Sequence, residues 1–326
     1  MTQASPAPAY AAEYAQRMNR VLDHIDRHLD APLELSVLAE VAHFSPFHFH
    51  RVFAAWMGET LGDYLRRRRL DIAALRLASQ AQARVPASVL EIALAVGFGS
   101  GEAFARAFKQ RFGCTPSAWR AATPQRWAGE LAAMHQRRRH SNPDQDMRNP
   151  DQPAEPAFTK DAGSLPPESS MQVKVLTLPP ARVAYMRHIG PYGAGVARLW
   201  REVFMPWRAA QGLEQAPCYG IGHDDPSVTD PDKCRYDACV EVPDSFVAQN
   251  PVGIATLPGG RYAVADYYGT GAGLSVPWTQ LLRDWLPASG MRADSRPHFE
   301  YLPVDTRYDP RTGEFGCQLC LPVRPL

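Results

Sequence analysis

The sequence predicts a chain in two parts: an N-terminal all-α double helix-turn-helix unit, then a C-terminal α+β domain built from two strand-helix-strand-strand repeats. Three observations lead there. Residues 13 to 120 return an apolar side chain every three or four positions, the period of an amphipathic helix. Beyond residue 170, branched and aromatic residues alternate with polar ones, the period of a strand. Each half also repeats itself internally.

The 326 residues suffice for two or three domains, and 45% hydrophobic with 21% charged residues describes a folded chain rather than a disordered one. No apolar run approaches the roughly 18 residues of a membrane span. The opening MTQASPAPAYAAEY lacks the basic start and apolar core of a secretory signal, so the expected compartment is the cytoplasm. The formal net charge of +1 conceals an asymmetry: residues 1 to 150 carry 19 Lys and Arg against 14 Asp and Glu, and the remainder 16 against 20. A mildly basic first half is compatible with a polyanionic partner without requiring one. Six cysteines are too few for a disulfide scaffold, and Cys317 and Cys320 form a single CxxC with no second pair. They read as ordinary strand or turn cysteines, and neither a metal nor a cofactor is expected.

In the helical half, Phe49-x-Arg51-x-Phe53-x4-Gly58-x-Thr60 returns 55 residues later as Phe104-x-Arg106-x-Phe108-x4-Gly113-x-Thr115. Leu38-Ala39 and Phe44 return as Ile92-Ala93 and Phe98 at an offset of 54, so the second copy has one extra residue in its turn. Each copy is a short helix (about 35–42 and 89–96), a tight turn and a longer helix (about 46–56 and 101–111). Ser45-Pro46 suits a helix entrance, since serine accepts an orphan N–H and proline tolerates the first helical position. Ser100 caps the other copy. The Phe pairs, four residues apart, stack inward and leave His48, His50 and Arg51 near the exposed side. An exposed helix of this kind fits the major groove, with Arg51 and Arg106 as candidates to read bases; a protein-binding scaffold is the alternative. A long helix, about 61–80, joins the copies; its arginines 66 to 69 can face phosphate or solvent but not as one flat contact, since successive side chains point about 100° apart, and one or two are candidates to touch phosphate.

Residues 15 to 120 resemble the AraC/XylS family of transcription regulators, on AEVAHFSPFHFHRVFAAWMGETLGDYLRRRRLDIAALRL and EIALAVGFGSGEAFARAFKQRFGCTPSAWR. The resemblance implies double-stranded promoter DNA as partner, with two helices in successive major grooves. It puts Phe47, His50 and Arg51 of the first helix, and Gly101, Glu102 and Arg106 of the second, at the base-reading positions. Gly101 brings no side chain, so the second module is expected to read fewer bases.

Residues 138 to 170, rich in Pro, Asp, Asn and Ser, read as a flexible linker between domains at 13–122 and 171–326. In the second domain TLPPARVAY at 177–185 returns as TLPGGRYAV at 256–264, and Trp200 and Trp207 return as Trp278 and Trp285 at an offset of 78. Two such units leave a cleft along a pseudo-twofold axis, a plausible ligand site. Trp207, Tyr219, Tyr267, Tyr268 and Trp278 are candidates to line it, each with ordinary core packing as the alternative. Glu300, between Phe299 and Tyr301, points away from both by strand alternation. That face is either solvent, where the charge needs nothing further, or the cleft, where it needs a cationic partner or a raised pKa.

This domain resembles the gyrase-inhibitor-like effector-binding domain, on RPHFEYLP and the pair LPPARVAYMRHIGPY and LPGGRYAVADYYGTG. The resemblance implies that Glu300 meets a cationic, often aromatic, small-molecule effector. The expectation is a one-component sensor and regulator, not an enzyme, acting through DNA affinity or through contacts with RNA polymerase. Two other readings stay open: a degenerate sensor used for protein contacts, and a hydrolase of small electrophiles. Oligomeric state, activation and repression are also open, because one chain already supplies two DNA-reading modules.

Overall fold

The computed structural model describes residues 7–81, 85–123, 171–294 and 296–325. The stretch at 138–170 read as a linker lies outside them.

Helices α1 (Ala7–Arg27), α2 (Leu35–Val41) and α3 (Pro46–Met57) form the first module. Helix α4 (Leu61–Ser79) leads to α5 (Val89–Ala95), α6 (Gly101–Phe112) and a last helical stretch, α7, over 116–123. The ends obey local chemistry. Ser45 accepts from the His48 amide with Pro46 in the first turn, Ser100 accepts from the Ala103 amide, and Gly58 and Gly113 close α3 and α6 in the left-handed region. Phe49 and Phe53 are fully buried against Met18, Leu22 and Tyr64; Phe104 and Phe108 are buried against Leu70, Leu77 and Ile92. The two turns differ. His43 adopts φ 54° in the first, where the second has Gly97 at φ 87°. A Cβ on Gly97 would strike the Leu29 carbonyl and the Arg69 guanidinium, so glycine lets the second turn press against the first module.

The C-terminal unit is an antiparallel ten-stranded sheet: β1 (Val173–Leu178), β2 (Ala181–Ile189), β3 (Cys218–Gly222), β4 (Arg235–Glu241), β5 (Gly253–Leu257), β6 (Gly260–Gly269), β7 (Met291–Ala293), β8 (Phe299–Leu302), β9 (Tyr308–Asp309) and β10 (Glu314–Pro325). The main path runs β1-β6-β10-β8-β3-β4-β2-β5, with β7 and β9 also pairing β10. The pseudo-twofold axis therefore passes between β8 and β3. The leading strand of each repeat crosses over to the other repeat, β1 pairing β6 and β5 pairing β2, and the short β7 and β9 lie in the second repeat. One face of the sheet carries α8 (Ala194–Arg198), a π-helical turn at Leu199–Phe204 and α9 (Met205–Ala210), and their counterparts α10 (Ser275–Gln280), a π-helical turn at Leu281–Trp285 and α11 (Leu286–Ala288). Both repeats thus place a π turn between two short helices, a feature of the kind that gathers at functional sites.

The opposite face meets the helical unit across a charged, largely buried interface. Arg68 of α4 pairs with Asp224, Arg235 of β4 pairs with Asp26 of α1, and Arg187 of β2 pairs with Asp23. Two expectations change here. Of arginines 66 to 69, only Arg66 stays exposed. Arg67 is buried against Glu59 and Asp71, and Arg69 donates to the Leu29 and Ala31 carbonyls, because α4 is enclosed by neighbours on most sides. Nor are the two units joined only through the chain, since their contact is itself part of the interior.

Candidate effector site and DNA-reading helices

Strand register decides which side chains gather around Glu300. Gly220 of β3 lies directly opposite it on β8, at the pseudo-twofold axis. A Cβ on Gly220 would overlap the Glu300 carboxylate and the Tyr236 hydroxyl, so glycine makes the space that those two groups share. Tyr236 of β4 donates to Glu300 Oε2 at 2.8 Å, the Trp278 indole donates to Oε1 at 3.4 Å, and the Trp200 indole donates to the Tyr236 hydroxyl at 3.3 Å. The equivalent tryptophans of the two repeats thus converge on one carboxylate-phenol pair.

Glu300 is 8% exposed, and among the described residues no cationic side chain pairs with it. Burial raises its pKa to about 7, while the hydrogen bonds from Tyr236 and Trp278 pull the other way. Burial also pushes the Tyr236 hydroxyl well above its usual range, keeping the proton it donates. The result is a partly ionised carboxylate near neutral pH, enclosed by two indoles and a phenol.

The other aromatic candidates are dispersed. Trp207 packs with Phe204 and Phe246, at centroid distances of 5.6 and 6.3 Å. Tyr267 shares Glu300's face but donates to the Thr270 carbonyl. Tyr219 and Tyr268 lie on the other face, where Tyr219 donates to Glu241 and packs on Phe299 and Tyr301, and Tyr268 lies under Arg307. Only Trp278 of the five touches Glu300. Tyr236 and Trp200 were missed, although the 78-residue offset relating Trp200 to Trp278 already carried a signal for one of them. Cys317 and Cys320 fall on opposite faces of β10, which a spacing of three dictates in a strand.

In the helical unit, Phe47, His50 and Arg51 are all exposed on the first two turns of α3, Phe47 to 75%, with the Arg51 guanidinium 5.9 Å from the Phe47 ring centroid. His48 is tied instead to Tyr14 and Phe44. On α6, Glu102 and Arg106 are exposed, and Gly101 packs beside Leu90. Both helices therefore present their N-terminal halves outward, while Arg111 at the far end of α6 turns inward to Asp71.

Two short helix pairs, each projecting one exposed helix, and a duplicated sheet with an enclosed carboxylate define a DNA-binding unit joined to a small-molecule-binding unit. Family comparison agrees: residues 38–122 match a helix-turn-helix domain and residues 171–324 a GyrI-like small molecule binding domain. Over 107 residues, 33% of this chain and 95% of the relative, it is 33% identical to the regulatory protein SoxS of Salmonella typhimurium. It is 37% identical over 95 residues to a putative transcriptional regulator, YosT, of Bacillus subtilis, spanning 64% of that protein. Among solved structures, the DNA-binding domain of AdpA in complex with a target DNA is similar, at 29% identity and a TM-score of 0.30, over 34% of this chain and 96% of that one. The chain belongs to the AraC/XylS family of transcription regulators and carries a GyrI-like domain at its C-terminal side. It is a DNA-binding transcription regulator whose GyrI-like domain is of a type that binds a small effector.

Proposed function

We propose that the effector is an organic cation with aromatic surface, held between Trp200 and Trp278 with its charge on Glu300. The observation that carries this reading is a buried carboxylate that meets indole and phenol donors but, among the described residues, no cation. Removed from water, the carboxylate is costly to ionise alone, and a cation offsets that cost while indole faces add cation–π attraction. Because Glu300 titrates near pH 7, uptake of a cation at pH 6 releases a proton. On the DNA side, Phe47, His50 and Arg51 contact bases from α3, and Glu102 and Arg106 from α6. Effector binding then alters promoter engagement, either through DNA affinity or through contacts with RNA polymerase.

Calorimetric titration with tetraphenylphosphonium and with its neutral relative triphenylphosphine oxide tests the effector reading. The parent protein binds the cation; Glu300→Gln weakens that binding at least tenfold, about 1.4 kcal/mol, and leaves the neutral compound unaffected. Equal affinity of both proteins for the cation rejects the charge-recognition role.

A further inference from the structure

Strand β4 alternates between two tasks. Tyr236 points to the Glu300 site, while its neighbours Arg235 and Asp237 point through the other face of the sheet toward the helical unit. Arg235 reaches Asp26 of α1 at 2.7 Å and Asp224 at 2.9 Å, and Arg68 of α4 contacts the same two carboxylates. Asp26, Arg68, Asp224 and Arg235 close a neutral ring of alternating charges, three of its side chains almost wholly buried. In such a ring, moving one member leaves another charge buried and uncompensated, so it has a closed state and an open one rather than a graded series.

The loop between β3 and β4 extends this contact along the helical unit. Lys233 pairs with Glu59 just after α3, Thr229 donates to Asp71 of α4 at 2.9 Å, and the Val228 carbonyl accepts from Arg111 of α6 at 3.0 Å. The side chain of Val228 packs on the core of the second module. One hairpin therefore grips the first module, the joining helix and the second module together. A solvent-open pocket beside it is lined by residues that include Asn19, Trp56, Arg187 and Asp232 of the loop itself.

We propose that the β3–β4 hairpin is a lever: displacement of Tyr236 and Glu300 on one face of the sheet opens the charged ring on the other and frees the two helix-turn-helix modules to change their separation. The proposal rests on the Glu300 site as the effector site, but the lever can be tested without any ligand. A methyl group at Gly220 must displace Tyr236 and Glu300, which makes Gly220→Ala a mechanical stand-in for a filled site.

Hydrogen exchange on the full chain compares the parent, Gly220→Ala and Asp26→Asn, the last opening the ring at its most accessible member. Both variants are expected to speed exchange at least tenfold in residues 223–235 and in the facing turns of α1 and α4, leaving β6 and β10 at parental rates. Selection from a pool of duplexes with two half-sites at varied spacing should give a broader spacing preference for both variants than for the parent. If Gly220→Ala disturbs only β3, β4 and β8 while residues 223–235, α1 and α4 keep parental rates, there is no lever. If Asp26→Asn leaves the spacing preference sharp, the ring does not set module separation. A parent that fails to bind tetraphenylphosphonium counts against the effector reading alone, since neither of these measurements uses it.

Discussion

Glu300 ties pH to stability in a direction opposite to that of most carboxylates. Its pKa is raised in the folded chain to about 7, so the fold favours the protonated form; that advantage is complete below the ordinary carboxylate range and is lost as pH rises through 7. Replacement by Gln keeps the neutral form at every pH. Urea unfolding should find Glu300→Gln close to the parent at pH 4.5 and more stable at pH 8 by about 2–3 kcal/mol, somewhat offset by one acceptor oxygen lost. A stability difference that does not change between those pH values would show that the carboxylate is not desolvated. At the same scale, Arg51→Ala should cost about 1–3 kcal/mol of discrimination between a selected duplex and a scrambled one. Equal weakening on both would make Arg51 a phosphate contact. Neighbouring residues in sequence do not share such roles: among four consecutive arginines of α4 only Arg66 is exposed, because the others meet Glu59, Asp26, Asp224 and the Leu29 carbonyl.

At the level of elements, the two helix-turn-helix copies share caps and Phe pairs but not turns. His43 stands open enough to be replaced, whereas Gly97 is wedged between Leu29 and Arg69. Gly97→Ala should lower stability by about 2 kcal/mol or more through a strained φ and a steric overlap, and His43→Gly should change it by less than about 1 kcal/mol. Comparable losses in thermal unfolding would mean that the turns are equivalent after all. The helices, their caps and most of the strands were legible because their signals are local: a serine before a proline, a glycine after the last turn, a period of 3.6 or 2. Which strand pairs which was not, since the exchange of β1 and β5 between repeats depends on partners 68 to 92 residues away. The effector site shows the same divide. Strand alternation placed Glu300 opposite Phe299 and Tyr301, but only the pairing of β8 with β3 and β4 shows that Tyr236 belongs beside it and that Tyr219 does not.

For the whole molecule, the charged interface is expected to couple the folding of the two units. Asp26 and Asp237 are held well below the usual carboxylate range by Arg235, Arg68 and Arg187, against the opposing effect of burial. Their lowered values contribute stability above the unfolded pKa, near 4, which is lost as pH falls further. Thermal unfolding of the full chain should accordingly be a single transition at pH 7 and separate into two below pH 4. Two transitions already at pH 7 would show that the interface is too weak to couple the units. No local pattern marks this contact: Asp26, Arg68, Asp224 and Arg235 each look like a surface charge, and only the tertiary fold brings them into one ring.

The placement of Gly220 opposite Glu300 has a consequence for stoichiometry. A second carboxylate at Gly220 would stand face to face with Glu300 between β3 and β8, where like charges repel and a further side chain has no room. At that cross-strand pair the second repeat supplies the acid and the first leaves the space. A twofold scaffold with two matching tryptophans therefore offers a single charged seat, and each chain should take up one cation rather than two.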